Sequence, residues 1–218
     1  MMIGTLAGTV LLAPLTLAAN DPTQAPPAAM LRYPDVGARD IVFTFGGDLW
    51  LVDKTGGVAR PLTSARGPES TPKFSPDGTR VAFVGGYEGN RDIHVIPVGG
   101  GEPFRVTHHP SAENLNDWTG DVLLFTTGEL GGLTRQARPF RVPAAGGMPE
   151  ALPVPYGANA TIDRSGEWLA YTPHAIDTRT WKRYRGGMAT DIWLYNLKSG
   201  QSRRVTDHEG IDLSLIHI

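Results

Sequence analysis

The sequence predicts an all-β chain: a β-propeller of about four four-stranded antiparallel blades that make up an incomplete ring. Three observations carry the prediction. The first is composition. Of 218 residues, 27 are glycine and 18 are proline, and helix interiors tolerate neither. The second is an internal repeat of about 44 residues. The third is the pattern inside short apolar segments, where alternate side chains point to opposite faces of a strand. Hydrophobic residues make up 40% of the chain and the net charge is −2, a composition that can bury a core and is unlike that of disordered chains. The same near-neutral balance gives no electrostatic reason to expect a nucleic-acid partner.

The repeat is clearest from Lys73 to Thr107. It opens on KFSPDG, continues through RVAFVGG and DIHVIPV, turns at GGGEP and closes on FRVT. Phe74, Trp118 and Ile162 lead successive units 44 residues apart. Gly56-Gly57, Gly100-Gly101 and Gly146-Gly147 mark the later turn at intervals of 44 and 46 residues. A period of 40–45 residues holding four short strands is that of a propeller blade. The units run over about 31–63, 64–107, 108–154 and 155–207.

Taken in chain order, residues 1–19 read as a signal peptide. They are uncharged, Leu6 to Leu17 is an apolar run, and Thr16-Leu17-Ala18 offers a small-x-small cleavage site. The run is shorter than the roughly 20 residues a membrane span needs, and Pro14 interrupts it. No Lys or Arg precedes it, as a secretory signal normally requires, so a misassigned start or an unusual anchor are the alternatives. Export places the protein in the periplasm or outside the cell; a cytoplasmic location is the other reading. Residues 20–30 are a Pro/Ala linker.

In the first unit, Asp48-Leu49-Trp50-Leu51-Val52 alternates as a strand with one apolar face. In the second, Ile93, Val95 and Ile96 crowd together as expected of a strand covered on both faces. Ser75-Pro76-Asp77-Gly78 is turn chemistry, with Pro fixing φ and Gly accepting positive φ. The fourth unit carries an insertion, His174 to Thr190, between its second and third strands. Residues 213–218 (LSLIHI) match no other unit and read as a non-native or truncated tail. If blades stop there, an uncovered face is expected to include some of Trp168, Leu169, Tyr171, Ile192, Trp193 and Tyr195.

Chemical signals are sparse. The chain has no cysteine, which removes disulfides, thiolate zinc sites and a Cys nucleophile. It carries no GxSxG, HExxH, Walker A or EF-hand pattern. Gly99-Gly100-Gly101 leads into another strand and so is a hairpin turn, not a phosphate cradle. His108-His109 lacks further ligands at metal-binding spacing and reads as a solvated loop, as does His208-Glu209. Ser75, Ser165 and Ser199 fall in glycine-bearing turns, and nothing singles out a Ser-His-Asp triad. Thr180-Trp181-Lys182-Arg183-Tyr184-Arg185-Gly186-Gly187 interleaves three cations with two aromatics. It would grip a carboxylate, a peptide terminus or a neighbouring domain, or else pack its rings on the blade edge with the cations in water. No catalytic, cofactor-binding or metal-binding residue is assigned to this chain, and no cofactor.

The segments RYPD (Arg32 to Asp35), GDLWLV (Gly47 to Val52), KFSPDG through THHP (Lys73 to Pro110), LNDWTGD (Leu115 to Asp121), FRVPAAGG (Phe140 to Gly147) and TWKRYRGGMATDIWLYNL (Thr180 to Leu197) resemble, in that order, the start of tricorn-type proteases. SPDG alone is shared with TolB-like propellers and the propellers of prolyl oligopeptidases. The NDWTGD and WKRYRGG segments are more specific. The resemblance implies a six-bladed propeller followed by a seven-bladed one, a PDZ domain and a serine-protease core far beyond residue 218. It implies a module that gates or channels peptides, partnered by the remaining domains of its own polypeptide and homo-oligomeric at full length. The alternative is a non-enzymatic, TolB-like binding scaffold.

Overall fold

The computed structural model of the chain describes residues 30–128, 136–174, 186, 189–207 and 209–212. Residues 1–29, 213–218 and, except for Gly186, the Thr180–Gly187 segment lie outside these. The described residues form sixteen strands and no α-helix. Four antiparallel sheets follow one another along the chain, each with its four strands paired in sequence order. Sheet one holds β1 (Arg32–Val36), β2 (Asp40–Phe45), β3 (Asp48–Asp53) and β4 (Arg60–Pro61). Sheet two holds β5 (Glu69–Phe74), β6 (Arg80–Gly85), β7 (Asp92–Pro97) and β8 (Phe104–Arg105). Sheet three holds β9 (Asn114–Thr119), β10 (Val122–Thr127), β11 (Arg138–Pro143) and β12 (Glu150–Ala151). Sheet four holds β13 (Asn159–Ile162), β14 (Trp168–Thr172), β15 (Trp193–Asn196) and β16 (Ser202–Arg204). This is the expected all-β propeller architecture.

Local chemistry sets the turns. Between β2 and β3, Gly46 and Gly47 both have positive φ (66° and 99°), the requirement of a two-residue type I′ hairpin whose twist matches its strands. Between β5 and β6, Gly78 N donates to Ser75 O at 2.8 Å, and Thr79 N donates to Asp77 Oδ1 at 3.0 Å. The Asp163–Gly166 turn repeats the device in sheet four, with Gly166 N donating to Asp163 O at 2.9 Å.

The core lies between sheets, not within them. Val42, Leu49, Leu51 and Leu62 of the first unit meet Phe74, Val81, Phe83 and Ile96 of the second. Ala82, Val84, Ile93 and Val95 on the other face of sheet two meet Leu123, Phe125, Phe140 and Val142 of sheet three. Leu124, Leu152 and Val154 of the third unit meet Ala160, Ile162, Leu169 and Tyr171 of sheet four. Sheet two is thus apolar on both faces because both are covered. One expectation is corrected and another narrowed. Trp50 and Val52 make the second face of β3 partly apolar, and Trp50 packs edge-on against Phe45. Leu169 and Tyr171 are not on an uncovered face. They are buried against sheet three, with Trp193 and Tyr195 packed beside them, because sheet four packs this face of β14 on sheet three.

Candidate functional site

The first strands of the four sheets, β1, β5, β9 and β13, contact one another in succession, so they form the inner wall about which the sheets are arranged. That wall is polar. Lys73 Nζ lies 3.5 Å from Asp35 Oδ1, and Phe74 N donates to Asp35 Oδ2 at 2.8 Å. Asn116 Nδ2 donates to Ala158 O at 3.4 Å, Thr119 Oγ1 to Ile162 O at 3.2 Å, and the Thr161 hydroxyl to Asp117. β1, β5 and β9 each break register against their neighbours. Tyr33 (φ 51°) and Thr71 (φ 49°) take the left-handed conformation at two of these breaks, which a side chain adopts only at a cost.

A second polar device links one sheet to the next. After β4, the Thr63 hydroxyl accepts from Leu49 N at 2.9 Å and donates to Glu69, the first residue of β5. Glu69 Oε2 also accepts from Leu49 N at 3.2 Å, while Tyr87 Oη donates to Oε1 at 2.5 Å. One blade further on, Thr107 accepts from Ile93 N at 2.9 Å and donates to Glu113, just before β9. The backbone repeats too: Glu69 N donates to Gly47 O, Glu113 N to Arg91 O, Gly157 N to Ala137 O and Asp212 N to Thr190 O. At the third seam Pro153 and Gly157 stand where Thr and Glu stand in the first two, so the clasp is absent there. Burial raises the pKa of Glu69 against the pull of Thr63, Tyr87 and the Leu49 amide. Burial pushes Glu113 up to about 7.

Beside these clasps lies a cleft of about 330 Å³ whose lining includes Tyr87, Glu88, Asp92, His94, Glu102 and Arg105. Arg105 Nη2 sits 2.8 Å from Asp92 Oδ2 and Nη1 sits 3.2 Å from Glu88 Oε2. His94 stacks on Phe83 with centroids 5.7 Å apart and meets Tyr87 edge-on at 4.8 Å. Its Nδ1 donates to Asp92 O at 3.1 Å, and burial lowers its pKa. Every charged group here except Glu102 is engaged by another, so the cleft is organised as a structural network.

The serines stand where the turns need them. Ser75 Oγ donates to Asp77 Oδ1 at 2.5 Å, and Ser165 Oγ donates to Asp163 Oδ2 at 2.5 Å. His109 Nδ1 accepts from Ser111 N at 3.1 Å, and His208 lies outside the described residues. Among the described residues, no three His, Asp or Glu side chains come together in a way that could hold a metal ion. Gly100 and Gly101 take positive φ (88° and 130°) in the hairpin between β7 and β8.

The model of the tricorn protease N-terminal beta propeller domain matches residues 28–215. The chain belongs to this family. Tricorn protease homolog 1 of Streptomyces coelicolor is 34% identical over 195 residues, covering 87% of this chain and 18% of that protein. A TolB homolog of Chlorobium luteolum is 38% identical over 65 residues, covering 30% of this chain and 15% of that one. The crystal structure of the tricorn protease superposes with a TM-score of 0.70 at 20% identity, over 84% of this chain and 19% of that one. TolB from Acinetobacter baumannii gives a TM-score of 0.59 at 19% identity, over 78% of this chain and 41% of that one. The two structures establish the fold. This tricorn-family propeller spans about a fifth of the length of its Streptomyces relative. Sequence reasoning missed the cleft residues Asp92, His94 and Arg105, and also the Thr–Glu clasps. The clasps did leave a signal: Thr63 and Glu69 are six residues apart, as are Thr107 and Glu113, and the pairs are 44 residues apart.

Proposed function

We propose that this chain is the propeller module of a tricorn-like serine peptidase, and that it admits peptides to a catalytic domain elsewhere in the same polypeptide. The observation that carries the reading is the family match over residues 28–215. The polar inner wall of β1, β5, β9 and β13 supports it, because an extended peptide exposes amides and carbonyls that such a wall can solvate. We further propose export to the periplasm or beyond, on the apolar segment Leu6 to Leu17, and assembly of the full-length protein with copies of itself. The test compares the full-length gene product with a variant lacking residues 31–207, each given short and long fluorogenic peptides. The expected result is a change in length selectivity. Equal selectivity in both would remove the gating role, and a parent without peptidase activity would favour the TolB-like scaffold. Amino-terminal sequencing of fractionated cells tests export, with an intact Met1 in the cytosol rejecting it.

A further inference from the structure

Glu113 is wholly buried, at 0% exposure, yet among the described residues no cation pairs with it directly. Among the described residues the cation that acts on it, Arg105, is committed elsewhere: Nη2 to Asp92, Nη1 to Glu88, and Nε to Thr107 O at 2.9 Å. The Thr107 hydroxyl donates to Glu113 Oε2, while Oε1 is buried without a hydrogen-bond partner. Its counterpart Glu69 differs in this respect, because Tyr87 Oη donates to Oε1 at 2.5 Å. A full negative charge with one oxygen dry and no paired cation is among the costliest buried arrangements, and such a group sheds its charge by taking up a proton.

The groups around it reinforce this. Asp92, itself 2% exposed, adds a second negative charge from β7. Arg105 on β8 faces both buried acids. His94 on β7 and His108 on the following loop act on Asp92, and burial holds His94 toward its neutral form. Sheet three meets this seam with apolar side chains such as Leu115, Leu123 and Phe125. We propose that Glu113 is a proton-operated clasp: it joins sheets two and three as a neutral carboxylic acid, and losing that proton loosens the seam. The sign is fixed. Burial raises the pKa in the folded chain, so the stabilisation is complete below the ordinary carboxylate value and is lost as pH rises through about 7.

Two measurements on the full chain test this. The first follows the side-chain carboxyl carbon of Glu113 by NMR in the unsubstituted protein. A midpoint at least about 1.5 pH units above the ordinary value of about 4.3 is expected, and a lower midpoint overturns the proposal. The second compares melting of the unsubstituted protein and Glu113→Gln from pH 5 to 8.5. The amide and the original should differ least at pH 5, the amide should melt progressively higher than the original as pH rises toward 7, and the gap should then hold to pH 8.5, while parallel curves overturn the proposal. His94, whose pKa burial lowers, is common to both proteins, so the difference isolates Glu113. If Glu113→Gln does not fold, the carboxyl titration alone decides.

Discussion

A threonine hydroxyl between a strand amide and a buried carboxyl group is the smallest unit joining one sheet to the next. Its removal has an asymmetric cost, because Glu69 keeps Tyr87 as a partner whereas Glu113 keeps no side chain among the described residues. Thr107→Val is therefore expected to destabilise by about 1–3 kcal/mol, the range for leaving a buried polar group unsatisfied. Thr63→Val is expected to cost less. Urea midpoints of the two variants provide the check, and equal losses would count against the difference drawn between the clasps. A second residue-scale expectation concerns Asp77, whose pKa the Ser75 hydroxyl and the Thr79 amide and hydroxyl hold down at about 2. A depressed carboxylate stabilises the fold above its ordinary pKa and stops doing so as pH falls through the folded value. Asp77→Ala should thus lower the melting temperature at pH 7, and the gap should close as the pH approaches 2.

At the scale of the element, each sheet depends on its neighbour for its interior. Phe83 on β6 and Phe125 on β10 are both fully buried, at opposite seams of sheet two. Truncating either to Ala is expected to cost about 3–5 kcal/mol through lost burial and an unfilled cavity. Because the two lie at different seams with no shared partner, the double variant should lose nearly the sum. A large coupling energy in that cycle would show that the seams do not act independently. The approach to β5 is constrained differently. Gly67 has φ 134°, and a Cβ there would come within 2.6 Å of Gly86 O. Gly67→Ala should therefore destabilise by more than the roughly 1 kcal/mol of a strain-free glycine replacement, read by denaturant unfolding.

At the scale of the molecule, the inner wall and the seams are what a propeller has to offer, and neither carries a nucleophile paired with a base among the described residues. The polypeptide alone is expected to leave fluorogenic peptides uncut. Cleavage that vanished on replacing Ser75, Ser165 or Ser199 by Ala would reverse that expectation. The stacking of sheets through three separate apolar seams also means that each internal sheet is stabilised from two sides, as in repeat proteins generally.

The 44-residue period, the strand alternation and the turn at Ser75–Gly78 were legible in the sequence because each is set by backbone geometry over a few residues. Leu49 and Leu51 point to one side and Gly78 takes positive φ whatever lies across the fold. The partner of each face was not legible in this way. Leu169 and Tyr171 show the same alternation as any outer-face residues, and only the packing of sheet four on sheet three determines that they are buried. The same holds for the clasps. The six-residue spacing of Thr107 and Glu113 is plain in the sequence, but the protonation of Glu113 depends on where Arg105 directs its donors and on the lack of a donor to Oε1. Local covalent geometry determines periodicity, whereas charge state depends on desolvation by groups distant along the chain, which only the assembled sheets bring together.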